Sequence, residues 1–170
     1  YGNTQRQSPD LYYGYAEASK VSYKDVAFDE AKLIVRGRGS YCELHDLNVR
    51  KGQDWARGDI AFASKRDEVK SPVSIRLDME AQFPLAEAAK LFKSDIATVI
   101  TDFKTTSTPL IQLEAAIFNK AYSEYVDKSY IDLSANLDHP LTYNDVPLDH
   151  LSFKLFGRPQ VTHLREVKLG

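Results

Sequence analysis

Apolar residues recur at every second position over most of this chain, and at helical spacing over one stretch only. The clearest alternation runs from Val73 to Ala81, where Val73, Ile75, Leu77, Met79 and Ala81 are separated by Ser74, Arg76, Asp78 and Glu80. A strand of that pattern is dry on one face and wet on the other. Leu33 and Val35, Ile60 and Phe62, Ile111 and Leu113, Ile131 and Leu133, and Phe153 and Leu155 follow the same rule, each pair flanking a residue for the opposite face. Leu44 and Leu47 fall out of phase, which places a bulge near His45 and Asp46. From Leu85 the period changes. Leu85, Ala88, Ala89, Leu91, Phe92, Ile96, Val99, Ile100 and Phe103 predict a helical segment over about 84–103, started by Pro84 and interrupted near Lys93, where Ser94 and Asp95 supply a new cap. No other stretch reads as helix.

One unit of this pattern returns. Shifting the chain by 120 positions, the separation of Tyr23 from Tyr143, lays Val21–Arg50 on Leu141–Gly170 without a gap. Tyr23, Asp25, Val26, Asp29, Gly37, Arg38 and Leu44 then meet identical residues, about seven matches in thirty against roughly two by chance. Each copy reads as a β-hairpin turning at Gly37-Arg38-Gly39 or Gly157-Arg158-Pro159. The expected architecture is mainly β and antiparallel, with about nine strands and one short helical insertion. Residues 1–20 form a lead-in and edge strand, and residues 21–170 form the β-repeat domain. The chain reads as a segment of a longer repetitive protein.

Composition narrows the function. The chain has 170 residues, enough to bury the core of one domain, and a formal net charge of −2, which offers no basic face to nucleic acid. Its ten tyrosines favour strands. Tyr12, Tyr13 and Tyr15 cluster on one stretch and suit either a covered sheet edge or stacking on sugar rings. Cys42 is the single cysteine, so no internal disulfide forms. No apolar run approaches the roughly 18 residues that span a bilayer, and no signal peptide is present.

Chemistry-bearing motifs are sparse. Arg57-Gly58-Asp59 matches an adhesion tripeptide but runs into a strand, where Gly58 reads as a tight entry. Asp138, His139, Asp145, Asp149 and His150 lack metal-ligand spacing and read as solvated loop groups. No nucleophile elbow, phosphate loop or nucleotide fingerprint occurs, so neither catalysis nor a cofactor is expected. What remains is the apolar face, which demands a cover: a second sheet, another protein or lipid.

The order of parts, a hairpin with GRG at its turn, then WARGDIAF, an alternating strand ending in PLAEAAKLF, a helical segment and a Pro-led strand, resembles the repeats of AsmA-like envelope proteins. The likeness extends from about Val21 to the end of the chain and rests on apolar and glycine positions. It implies a strongly curved sheet, U-shaped in section, whose hydrophobic groove carries phospholipid acyl chains between membranes or serves outer-membrane assembly. It also implies a periplasmic location, inner-membrane anchoring through another part of the parent protein, and envelope protein partners. The groove would be lined by Leu33, Val35, Ile60, Phe62, Val73, Ile75, Leu77, Met79, Ile111, Leu113, Ile131, Leu133, Phe153 and Leu155, with Leu91, Phe92, Ile96 and Val99 plugging or flanking it. The alternative is a structural or adhesive β-repeat that closes its apolar faces on each other and presents its tyrosines to a protein or glycan.

Overall fold

A computed structural model describes residues 11–39, 41–63, 73–91, 101–105, 108–119, 123–137 and 141–170. Strands make up 76% of it, arranged as one large antiparallel sheet with a small second one. Among the described residues there are twelve strands, where about nine were expected for the chain. They are β1 (Leu11–Tyr23), β2 (Val26–Arg38), β3 (Tyr41–Lys51), β4 (Asp54–Ala63), β5 (Val73–Gln82), β6 (Phe103–Thr105), β7 (Leu110–Phe118), β8 (Tyr130–Leu137), β9 (Leu141–Tyr143), β10 (Val146–Leu148), β11 (Leu151–Arg158) and β12 (Val161–Leu169). The main sheet runs β1-β2-β3-β4-β5-β7-β8-β11-β12, and the small one β10-β9-β6. Within the main sheet each strand pairs with the next one in the chain, apart from the three short strands set aside. This local pairing is what an alternating pattern broken by short turns favours.

The helical segment divides differently from its expected span. Helix α1 covers Leu85–Leu91, whereas Phe103–Thr105 is strand, because its backbone pairs with Leu141–Tyr143. Phe92, Ile96 and Val99, and the break near Lys93, lie outside the described residues. A second short helix, α2 (Ser123–Val126), was not foreseen; four residues show no readable period. The expected boundary at residue 21 falls inside β1, which continues unbroken to Tyr23.

The two repeat copies share backbone geometry at their first turn and at their bulge. Lys24 and Asp25 turn at φ 48° and 64°, and Asn144 and Asp145, 120 positions on, turn at 48° and 64°. The register between β2 and β3 shifts between Lys32 and Ile34, and that between β11 and β12 shifts between Ser152 and Lys154. In both copies the extra residue sits in the left-handed region, Asp46 at φ 50° and Glu166 at 51°. Where the first copy runs straight through β2, the second breaks at Asp149 and His150. The Asp149 N–H donates to the Gly170 carbonyl at 2.7 Å, and β10 leaves for the small sheet.

Large buried side chains gather at one end of the sheet. Leu137, Leu141 and Leu151 form a cluster with Leu85, Leu148, Ala135 and Phe153 against it. Val26 is fully buried, and Phe83, just ahead of α1, packs on Phe28 of β2 with ring centroids 5.8 Å apart. Glu87 of α1 pairs with Lys51 of β3 at 2.9 Å. Helix α1 therefore covers that end, from the β2–β3 side to the leucine cluster. Mid-sheet, the buried residues are the alanines Ala61, Ala115 and Ala116.

Candidate functional site

Cross-strand partners in a sheet share a face, so the pairing register assigns every strand residue to one side or the other. One row runs Val35, Leu44, Ile60, Leu77, Ala115, Ile131 and Gly157. The next runs Gly58, Met79, Leu113, Leu133, Leu155 and Leu164. Others join Phe62 to Ile75 and Ile117, and Ile111 to Ala135 and Phe153. Leu33 precedes Val35 by two residues and shares its face, whereas Val73, expected on the same face as Ile75, pairs with Phe118 across a register shift that turns it to the other side. Thirteen of the fourteen residues proposed from the sequence stand on one face of the main sheet, and Val73 is the exception.

That face is open. None of the fourteen is buried, and Phe62, Ile75 and Ile131 are about 40% exposed. Among the described residues no second layer packs over the middle of the sheet. Helix α1 lies against β2, β3 and the leucine cluster at one end, and α2 lies against β7, where Tyr125 stacks on Phe118 with ring centroids 5.8 Å apart. The chain exposes 11933 Å² of surface, whereas a compact protein of this size exposes about 8,400 Å². Neither sheet is strongly curled, so the U-shaped section implied by the family resemblance is not seen.

Other residues belong to the face that strict alternation does not reveal. Leu44, Leu47 and Val49 of β3, opposite Ile60, Gly58 and Ala56, continue it, and so does Leu164 of β12, opposite Leu155. The bulges at Asp46 and Glu166 shift the alternation by one, which hides both strands from a period of two. The repeat equivalence of Leu44 and Leu164 was the signal that pointed to them. Leu91 lies in α1, whose relation to the face is set by Leu85 and Glu87.

The expected tyrosine cluster is divided. Tyr12 turns to the apolar side and lies over Gly37 of β2, where a Cβ would come within 2.5 Å of its ring Cε2; its hydroxyl donates to the Tyr41 carbonyl at 3.2 Å. Tyr13 and Tyr15 face the other way, 74% and 62% exposed. Cys42 is half-buried on the apolar side, opposite Gly37 and Phe62. Gly58 is not a strand entry. β4 begins at Asp54, because Asp54–Arg57 find partners in Asn48–Lys51, and Gly58 sits mid-strand at φ 144°.

The opposite face is a lattice of cross-strand polar contacts. Lys32 pairs with Glu17 at 3.2 Å and Glu30 at 2.7 Å, Arg36 with Glu43 at 3.5 Å, and His45 bridges Glu43 at 3.2 Å and Asp59 at 3.5 Å. Arg57 donates to Glu80 at 2.6 Å, Gln112 donates to Glu80 at 3.3 Å, and the Tyr130 hydroxyl donates to Glu114. Arg57 and Asp59 of the adhesion tripeptide are thus engaged within the sheet. Asp145 pairs with Lys104 at 2.7 Å, and the His150 ring meets the Ser152 hydroxyl at 3.3 Å. Asp138 and His139 lie outside the described residues. Among the described residues no group of three or more His, Cys, Asp or Glu is placed to hold a metal ion.

These contacts set the acid response. Hydrogen bonds from Arg57 and Gln112 hold the Glu80 carboxyl below its ordinary value near 4.5. A depressed folded-state value means that its contribution is present above the unfolded value and is lost as pH falls through the lower one. The expected result is a urea midpoint that falls between about pH 5 and pH 3, and falls less in Glu80→Gln. Equal acid sensitivity in both proteins would rule out this lattice as its source.

No family model, curated protein or solved structure matches this chain.

Proposed function

We propose that this chain is a non-enzymatic, lipid-binding segment of an AsmA-like cell-envelope protein, with phospholipid acyl chains lying on the apolar face of the main sheet. One observation carries the reading: thirteen of the fourteen apolar side chains selected by alternation share one face, on six of the seven strands from β2 to β11, that no second layer covers among the described residues. An aqueous protein seldom leaves so large a contiguous apolar surface bare. Water leaves an acyl chain laid there at about 0.8 kcal/mol per methylene, so eight methylenes gain roughly 6 kcal/mol before ordering costs. The path is an open face, walled at one end by α1, and not a closed channel. The parent protein, in this reading, is periplasmic and anchored to the inner membrane by a part outside this sequence, and moves phospholipid between membranes or serves outer-membrane assembly. No helix among the described residues is long and apolar enough to cross a membrane.

The test is native mass spectrometry with lipid extraction on the chain purified without harsh detergent. Phospholipid is expected to co-purify, and Leu77→Glu or Leu133→Glu to lower its amount at least tenfold while circular dichroism still reports the sheet. Lipid-free protein, or lipid retained by both folded variants, would sink the reading.

A further inference from the structure

The small sheet repeats the pairing of the main one. Thr105 lies five positions before Leu110, and its partner Leu141 lies five positions after Asn136, the partner of Leu110. Strands β6 and β9 therefore continue β7 and β8 in the same register, and β10 precedes β11 across Asp149 and His150. The three short strands are folded over together toward the apolar side. Leu141 of β9 and Leu148 of β10 pack with Leu137 and Leu151, which adjoin Ala135 and Phe153 on that face. We infer that β6, β9 and β10 form a hinged gate across one end of the apolar path, which swings out to continue the main sheet when an acyl chain takes its place on Leu137 and Leu151.

The first repeat copy supplies the straight arrangement. Its tip pairs Tyr23 with Val26 and Val21 with Phe28, and the second copy pairs the equivalent Tyr143 with Val146 and Leu141 with Leu148. In the first copy β1 and β2 pass the place of the fold as unbroken strands, with Lys20 at φ 54° in β1. From the pair Val21 and Phe28 to the pair Ala18 and Ala31, both strands advance three residues. From Leu141 and Leu148 to Leu137 and Leu151, one strand advances four residues and the other three. One extra residue thus separates the straight hairpin from the folded one, and an insertion of that size bends a strand without abolishing its pairing.

Apolar packing holds the gate shut. Leu141 is 3% exposed, and Leu148 is half-buried against the cluster that Leu85 also meets. The ion pair of Lys104 with Asp145, at 2.7 Å, joins β6 to the β9–β10 turn and so moves with the gate. Strands of three residues form a small unit, which opens more readily than the long strands of the main sheet. In water, opening bares Leu137 and Leu151. An acyl chain on them restores their burial, so lipid favours the open form by its differential affinity for the two states. This inference rests on lipid binding at the face and adds that the end near α1 is gated.

The test places spin labels on the full chain at Pro147→Cys and Arg158→Cys, in a Cys42→Ser background, and measures their separation by double electron–electron resonance. A straight strand holds these positions about 36 Å apart, at roughly 3.3 Å per residue, and the folded form is expected to read at least about 5 Å less. The short distance is expected without lipid, and the long one after vesicles of dioleoylphosphatidylglycerol are added. Phospholipid retained through gel filtration is measured in parallel. Leu148→Ser is expected to populate the long distance without lipid, while circular dichroism still reports the sheet. Retained lipid with an unchanged short distance overturns the gate and leaves the lipid reading standing. An unchanged short distance in folded Leu148→Ser overturns the hinge whatever the lipid does. A long distance in Leu148→Ser with no lipid retained by any form overturns the lipid reading, and with it the gate's role.

Discussion

Gly58→Ala is expected to cost more than about 3 kcal/mol, a large share of the stability of an ordinary domain. Two independent faults add at this position. A Cβ would fall on the carbonyl oxygen of Asp78 and within 2.8 Å of the Met79 Cα, both backbone atoms of the neighbouring strand, so no side chain can move aside. The residue also sits at φ 144°, where any side chain strains the backbone. Gly52 is the control. It has φ 60° and nothing within 4 Å of the place a methyl group would take, so Gly52→Ala keeps only the left-handed penalty of roughly 1–2 kcal/mol. Urea titration followed by the fluorescence of the single tryptophan, Trp55, measures both. Equal costs for the two variants would mean that β4 and β5 do not approach as described.

The second large effect separates the covered end of the sheet from its open middle. Leu137 is 4% exposed, in the cluster with Leu141 and Leu151, and Leu137→Ala is expected to cost about 3 kcal/mol through lost transfer energy and a residual cavity. Leu113 stands in the middle of the apolar face between Met79 and Leu133, incompletely covered, and Leu113→Ala is expected to cost at most about 1 kcal/mol. The urea midpoints of the two variants give the comparison. If Leu113→Ala proves as costly as Leu137→Ala, the face is covered in solution and the reading of an open lipid surface fails. Added phospholipid is expected to stabilise the unmodified chain more than Leu113→Ala, because only what binds the folded state shifts its stability.

Exposed apolar surface of this extent has a consequence for handling. The edges of the main sheet are β1 and β12, and β12 carries Leu164 and Leu169 at 60% and 64% exposure. A long strand edge with apolar side chains invites pairing with other chains unless something occupies it.

Much of this arrangement was legible in the residues. A period of two depends only on backbone geometry, so alternation such as Ile75–Ala81 assigns faces before any tertiary contact is known, and it misplaced only Val73, beyond a register shift. The misphased Leu44 and Leu47 located the bulge near Asp46, and the 120-residue offset matched positions that adopt the same dihedrals. Other features required the folded chain. Whether Phe103–Thr105 continues a helix or pairs as a strand depends on Leu141–Tyr143, nearly forty residues away. Tyr12 and Tyr13 have the same local chemistry, and only the approach of Gly37 makes room for one of the two rings. Gly58 looked like a strand entry because its constraint comes from Asp78 and Met79, residues of another strand. Above all, alternation says that a face is apolar but not what covers it. The sequence alone determined which side chains share that face. Only the tertiary structure decided that α1 and the leucine cluster shield one end and that, among the described residues, nothing covers the middle, because coverage depends on which distant elements return to pack there.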